Sequence, residues 1–102
     1  MFITKYMLTL HDIQLGMQNL KNWALDGNSI LKEIEFKDFK EAMQFVNKVS
    51  EIAENKGHHP DIFIFYNKVR LILTTHSSGG LTEKDFELAE EIDKIDLGDS
   101  QH

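Results

Sequence analysis

The sequence predicts an α+β domain in which three helices pack on one face of a four-stranded, mainly antiparallel sheet. Three stretches carry apolar residues at helical spacing, at about 10–21, 38–56 and 82–95. Between them lie two pairs of short apolar runs, each pair joined by a tight-turn sequence. The order helix, strand, strand, helix, strand, strand, helix is typical of this class because the helices can cover the hairpins from one side.

Length and composition limit the domain organisation. The chain has 102 residues, 41% of them hydrophobic, which is enough for one core. We expect a single domain over residues 1–102, with its core at about 8–96 and a frayed polar tail at 97–102. The chain has no cysteine, which excludes disulfides and thiolate metal sites and permits a cytoplasmic location.

Charge and hydropathy exclude two classes of partner. Seventeen acidic and 11 basic residues give a formal charge of -6, which repels nucleic acid and anionic membranes. No apolar stretch approaches the roughly 20 residues that span a bilayer, and the opening MFITKYMLTL lacks a signal-peptide cleavage pattern. We therefore expect a soluble protein with no nucleic-acid and no membrane partner.

The first half of the chain predicts a helix, a hairpin and a second helix. Thr9 and Asp12 have the spacing of a capping box, which begins a helix over about 10–21. Asp26-Gly27 then lies between two short apolar runs, a strong hairpin signal because glycine accepts the positive φ of a tight turn. The next helix runs from Asp38 to about Lys56, where Gly57 ends it.

The second half predicts another hairpin and a last helix. The runs IFIFY and VRLILTT are joined by Asn67-Lys68, and asparagine tolerates left-handed geometry. Thr82 and Asp85 repeat the capping-box spacing before an apolar helical face. Trp23 is predicted either as core or as a dimer contact. The remaining large apolar side chains assigned to the core are Phe36, Phe39, Met43, Phe45 and Phe86.

Three of the five histidines bracket the second hairpin. If residues 67 and 68 form its loop, Tyr66 pairs with Val69 and His59 falls opposite His76. The open end of the hairpin would then gather His58, His59 and His76 around a pocket, with Glu54 on the preceding helix nearby. Pro60 restrains the approach of the histidine pair and favours extended geometry before it.

Several interpretations of these histidines are open. A single histidine at a strand end is commonly a surface residue, but three at one edge weaken that interpretation. Zinc binding is a second alternative, although adjacent side chains on an extended chain point to opposite sides and do not readily share one metal. The third is acid/base chemistry, for which imidazole is suited at neutral pH. The bracketing pattern favours the third.

The same residues give the chain a resemblance to the pterin-4a-carbinolamine dehydratase family, some of whose vertebrate members are also dimerisation cofactors of a homeodomain transcription factor. The resemblance covers about 8–95. The residues that carry the resemblance are Glu54, His58-His59-Pro60-Asp61, Tyr66-Asn67-x-Val69, Thr75-His76 and Gly80-Leu81-Thr82-x-x-Asp85.

The resemblance implies dehydration of a 4a-hydroxytetrahydropterin to the quinonoid dihydropterin, a step in tetrahydrobiopterin recycling, without a metal or redox cofactor. His58 and His76 would then be the acid/base pair and His59 would orient the substrate. Glu54 would accept a histidine N–H and so select its tautomer. The remaining residues assigned to substrate binding are Pro60, Thr75, Ser77, Ser78 and Asp85, the last of which is also the predicted helix cap.

The resemblance also implies a homo-oligomer, either a dimer or a tetramer, and an open edge strand in the predicted sheet would permit one. An alternative function is a protein-binding module that acts as a transcriptional dimerisation cofactor through its helical face. Three converging imidazoles favour the enzyme, because an adaptor has no need of them.

Overall fold

The structure, a computed structural model, describes residues 8–97 and confirms the predicted class and order of elements. The opening residues 1–7 and residues 98–102 of the tail predicted at 97–102 lie outside the described residues. A short 3-10 helix, His76–Ser78, precedes the last helix. The helices are α1 (Leu10–Gln18), α2 (Phe39–Lys56) and α3 (Glu83–Asp93), and the strands are β1 (Ala24–Asp26), β2 (Ser29–Glu35), β3 (Asp61–Phe65) and β4 (Lys68–Leu73).

The four strands form one antiparallel sheet in the order β1-β2-β4-β3, so β2 and β4 are central and β3 is an edge strand. Alternate residues of the central strands point to one face, as the twofold period of a strand requires. That face is covered by the helices and forms the core. Its fully buried strand residues are Ile30, Ile34, Val69, Leu71 and Leu73.

The second hairpin is formed, but its predicted register is wrong. Phe65 pairs with Lys68, so the two loop residues are Tyr66 and Asn67. Tyr66 takes the positive φ of 55° that was expected of asparagine. Asn67 is instead held by Phe36, the residue that follows β2: the Asn67 carbonyl accepts from the Phe36 N–H at 2.7 Å, and the Asn67 side chain donates to the Phe36 carbonyl at 2.9 Å. The hairpin loop is therefore determined by a contact with another part of the chain.

This correction changes which residues meet at the open end of the hairpin. The last pair is Asp61 with Ile72, and continuing the register by three residues aligns His58 with Thr75. The predicted alignment of His59 with His76 is therefore incorrect.

The first helix is shorter than predicted, since it ends at Gln18 rather than near residue 21. The chain beyond it is held by α3: the Lys21 N–H donates to Asp93 Oδ2 at 2.9 Å, and Asn22 then adopts a left-handed φ of 63°. Because this contact joins residues 72 positions apart, local spacing alone does not predict it.

The predicted core is largely confirmed, with one error. Trp23 is buried and its Nε1–H donates to Asp93 Oδ1 at 2.8 Å, which places it in the core. Phe39, in contrast, is 50% exposed because it is the first residue of α2. Met43 is half-buried, and the other predicted core residues, Phe36, Phe45 and Phe86, are buried. Within residues 8–97, no helix combines the length and apolar character needed to cross a membrane.

Candidate active site

His58 is placed by the end of α2. Gly57 has a left-handed φ of 65°, and the His58 N–H then donates back to the Ala53 carbonyl at 3.2 Å, the pattern of a glycine-ended helix. The turn directs the His58 side chain to α3, where its Nε2 lies 2.6 Å from Asp85 Oδ1. The two side chains are 13% and 0% exposed, so this histidine–carboxylate pair is almost completely shielded from water.

Asp85 is held from its other side by two threonines. Its Oδ2 accepts from the Thr82 backbone N–H at 2.9 Å and from the Thr75 hydroxyl at 2.8 Å. The two threonine hydroxyls lie 2.8 Å apart. Among the described residues, no buried side-chain nitrogen or oxygen lacks a hydrogen-bond partner. The predicted capping box of Thr82 and Asp85 is present, and the same carboxylate also forms the hydrogen bond to His58.

His59 forms a second pair, on the surface. Its Nε2 lies 2.6 Å from Glu54 Oε2, and the two side chains are 60% and 76% exposed. Glu54 is thus within hydrogen-bonding distance of a histidine, as the sequence suggested. Pro60 is half-buried and immediately precedes β3.

His76 begins the short 3-10 helix that connects β4 to α3. The loop is closed at its base by paired backbone hydrogen bonds between Thr75 and Gly80, at 3.0 and 3.3 Å. His76 and Ser77 are exposed and Ser78 is half-buried. Within residues 8–97 the His76 imidazole, on an exposed residue, has no hydrogen-bond partner.

The structure thus sorts the predicted site residues into groups. His58, Thr75 and Asp85 share one buried network, and His59 pairs with Glu54 on the surface. His76 directly follows Thr75 in the chain, but its side chain is hydrogen-bonded to neither group among the described residues. The sequence did not predict Thr82 as part of the site, since its spacing to Asp85 was interpreted as a helix cap alone. The feature of the sequence that indicates an inward-facing cap is the apolar residue on either side of it, Leu81 and Phe86, and both are buried in the structure.

Cavities and metal-ligand geometry add two observations. A cavity of about 140 Å³ adjoins the loop after β4 and is lined by Leu8, Ile13, Gly27, Asn28, Ser78, Gly79, Gly80 and Leu81. Ser78 therefore borders this cavity, whereas His76 does not. In the part of the chain that the structure describes, no group of three histidine, aspartate or glutamate side chains is arranged to hold a metal ion.

Comparisons with known proteins show the family to which the chain belongs. The sequence model of the family described as pterin 4 alpha carbinolamine dehydratase matches residues 7–95. A relative from Sulfurisphaera tokodaii that carries the name of a pterin-4-alpha-carbinolamine dehydratase is 50% identical over 88 residues, which cover 86% of this chain and 95% of the relative.

Two solved structures are similar in fold. The crystal structure of a transcriptional coactivator/pterin dehydratase from Brucella melitensis has a TM-score of 0.78 at 36% identity, covering 83% of this chain and 93% of its own. A pterin dehydratase-like RuBisCO assembly factor of the alpha-carboxysome has a TM-score of 0.61 at 20% identity, covering 74% of this chain and 89% of its own. The second likeness concerns the fold alone.

Fold and site together define a small α+β protein that carries paired histidine and carboxylate side chains beside the open end of a hairpin. The chain belongs to the pterin 4 alpha carbinolamine dehydratase family. This assignment confirms the resemblance found in the sequence and the predicted class of enzyme, a dehydratase.

Proposed function

We propose that this protein dehydrates a 4a-hydroxytetrahydropterin to the quinonoid dihydropterin by histidine acid/base catalysis, in the recycling of tetrahydrobiopterin in the cytoplasm. The observation that carries the proposal is the buried pair of His58 and Asp85, which provides an imidazole in a defined orientation beside the open end of the hairpin. A fold of this kind hosts more than one function, so the site rather than the topology supports the activity.

The reaction needs two proton transfers. The bond between C4a and the hydroxyl oxygen breaks, and the oxygen leaves as water once an acid has protonated it. A base removes the N5 proton, and the N5 electrons form the double bond to C4a. Imidazoles perform both transfers at neutral pH, and positioned groups of this type contribute about 10²–10⁴-fold each.

The histidines divide these tasks by their surroundings. His58 and His76 form the acid/base pair: the first is held by Asp85, and the second is exposed on the loop that Thr75 anchors. His59, exposed and paired with Glu54, orients the substrate. Pro60, Ser77 and Ser78 line the pterin, because they flank these histidines and are at least partly accessible. Thr75 and Asp85 are buried, so they act through His58 instead of touching the pterin.

The decisive experiment measures the rate of 4a-hydroxytetrahydropterin dehydration by absorbance, with the intermediate generated by a hydroxylase. We expect acceleration by the unchanged protein and loss of about 10²-fold or more in His76→Ala, with its circular dichroism spectrum intact. His11→Ala is a matched control, since His11 is an exposed histidine on α1. No acceleration over the spontaneous rate would contradict the proposed function.

We also propose that the protein is a homo-oligomer that pairs through β3. This edge strand is one side of the sheet, and its apolar residues Phe63, Phe65 and the adjacent Tyr66 are 44%, 49% and 67% exposed. An unpaired, apolar edge is a template for a second copy of the same strand. Sedimentation analysis should give a dimer or tetramer, and Phe63→Lys with Phe65→Lys should yield smaller species. Leu10→Lys, at a leucine of α1 that is 67% exposed, is the control; if all three proteins have the same mass, pairing does not use this edge.

A groove between α1 and α3 supports the alternative function of a protein-binding module. It has a volume of about 380 Å³ and an apolar floor that includes Leu15 and Phe86. Four carboxylates line it, from Asp12, Glu83, Glu87 and Glu90. This pattern fits a basic amphipathic helix of a partner protein. Calorimetric titration with a leucine- and lysine-rich helical peptide should give binding that Leu15→Glu abolishes, whereas an equal response to a leucine- and glutamate-rich peptide would contradict the alternative.

A further inference from the structure

A chain of hydrogen bonds ends at His58. Its donors and acceptors can be assigned from the number of protons that each group is able to donate. The chain joins Lys84, Thr82, Thr75, Asp85 and His58. Thr75, Thr82 and Asp85 are all buried, so water does not compete for their hydrogen bonds. Each hydroxyl has one proton to donate, which allows the donors to be assigned by elimination.

The assignment of donors starts at Asp85, which accepts. An ionised carboxylate only accepts, so the single hydroxyl proton of Thr75 is directed to Asp85 Oδ2. In the hydrogen bond of 2.8 Å between the two threonine hydroxyls, Thr82 must then be the donor and Thr75 the acceptor. Thr82 Oγ1 is free to accept in turn, and it does so from the Lys84 backbone N–H at 3.2 Å. Every proton in the chain therefore points to Asp85.

The same reasoning extends to His58. Two donors already occupy Asp85 Oδ2, from Thr82 and Thr75, which fixes the rotation of the carboxylate and directs Oδ1 to the imidazole. Because Oδ1 accepts, His58 Nε2 carries a proton and donates it across 2.6 Å. The ring nitrogen left for chemistry is Nδ1, which has no partner among the described residues.

We propose that Thr75 and Thr82 are positioning residues that hold His58 in the tautomer protonated at Nε2, so that His58 exchanges protons with the substrate only through Nδ1. This inference rests on the proposed function for the identity of the substrate. It revises the role that the sequence suggested for Thr75: its hydroxyl points into the protein and acts on the pterin through Asp85 and His58.

The experiment compares Thr75→Val, which removes the hydroxyl at nearly constant shape, with Thr75→Ser, which keeps it. The tautomer of His58 is measured by ¹⁵N NMR of the ring nitrogens without substrate, and the dehydration kinetics are measured in parallel. We expect the unchanged protein to carry the Nε2 proton. Thr75→Val should populate both tautomers and lower kcat by about 10–100-fold at nearly constant KM, the range for partners that orient a functional histidine. Thr75→Ser should restore both properties.

Thr74→Val is the matched control, because the neighbouring Thr74 hydroxyl donates to the Asn28 carbonyl at 2.7 Å and takes no part in the chain. An Nδ1-protonated His58 in the unchanged protein would overturn the inference, as would a tautomer that Thr75→Val leaves unchanged. If Thr75→Val does not fold, Thr75→Ala takes its place, and the tautomer of the unchanged protein is decisive by itself. A protein with the expected tautomer but no dehydratase activity would refute the proposed function and leave the positioning chain standing.

Discussion

The two histidine–carboxylate pairs of this protein have the same length and opposite surroundings. His58 with Asp85 and His59 with Glu54 both measure 2.6 Å from Nε2 to a carboxylate oxygen. The first pair is 13% and 0% exposed and the second is 60% and 76% exposed. An exposed pair is screened by water and contributes roughly 0–1 kcal/mol, whereas a hydrogen bond to a charged group that water does not reach contributes roughly 1.5–3 kcal/mol. Burial, and not distance, therefore separates their roles.

The difference originates in where each carboxylate lies on its helix. Asp85 is on the first turn of α3, which faces the core, and two threonines also bind it. Glu54 is on the last turn of α2, and its carboxylate has His59 as its hydrogen-bond partner among the described residues. His58 is thus held by a carboxylate that is itself fixed in the protein interior, whereas His59 is held by one exposed carboxylate.

The largest effect is expected from Asp85→Asn. The amide can keep its contacts only by turning its NH₂ group to His58, which requires the ring proton of His58 to move from Nε2 to Nδ1; the opposite rotation turns the NH₂ group to the donors from Thr75 and Thr82. Either way, these buried hydrogen bonds lose their charged acceptor, and the free energy of unfolding, measured by urea titration, should fall by about 3 kcal/mol. An effect no larger than that of Glu54→Gln would show that burial does not separate the two pairs.

A second buried pair far from the histidines tests whether stability and catalysis separate. Lys32 Nζ lies 2.7 Å from Asp93 Oδ1, with side chains 6% and 5% exposed, and Trp23 donates to the same oxygen. Asp93→Asn should cost about 3 kcal/mol in urea titration because Lys32 loses its buried counter-charge. The kcat of the folded variant should equal that of the unchanged protein. A large fall in kcat would show that loss of stability by itself lowers activity. A fall in kcat on substitution of Asp85 would then not connect Asp85 to the site.

Glu54→Gln should have a smaller effect. We expect its free energy of unfolding to change by less than about 1 kcal/mol, since both members of the pair are exposed. Its KM for the pterin should rise by up to about fivefold at constant kcat, because a neutral amide orients His59 more weakly than the carboxylate does. Steady-state kinetics provide the measurement, with Glu51→Gln, another exposed glutamate of α2, as the control. A fall in kcat instead would assign Glu54 to the chemical step.

The smallest effect is expected at the other capping box, which has the same residue types as that of α3 but lies on the surface. The Thr9 N–H donates to Asp12 Oδ2 at 3.0 Å, and this backbone hydrogen bond lowers the pKa of the Asp12 carboxyl below its ordinary value. A lowered pKa stabilises the fold at pH values above the ordinary one, and this contribution is lost as pH falls through the lowered value.

Asp12→Asn should therefore lower the midpoint of thermal unfolding slightly at about pH 7, and the effect should shrink as the pH falls through the lowered pKa and the carboxyl of the unchanged protein takes up its proton. Scanning calorimetry at neutral pH and at an acidic pH measures the difference. A variant equally destabilised at both would attribute the effect to the shape of the side chain and not to its charge.

Particular residues mark how far the sequence predicted this structure. The two capping boxes and the glycine that ends α2 were all predicted and are all present, because each depends on residues within five positions of one another. The register of the second hairpin was not, since Asn67 is held by Phe36, 31 positions away. The predicted approach of Glu54 to a histidine agrees with the structure, while Thr82 was recognised only as a cap.

The sequence by itself determined the class of fold, the order of its elements and the residue types available for acid/base chemistry. These follow from hydrophobic periodicity and from turn and cap residues, which act over one or two turns of the chain. The tertiary structure alone decided which carboxylate is buried and which histidine it holds. His58 and Asp85 are 27 positions apart, and Thr75 reaches the same carboxylate from the end of β4. Their hydrogen bonds exist because α3 packs its first turn against the core, and burial of that kind is a property of the whole packed chain.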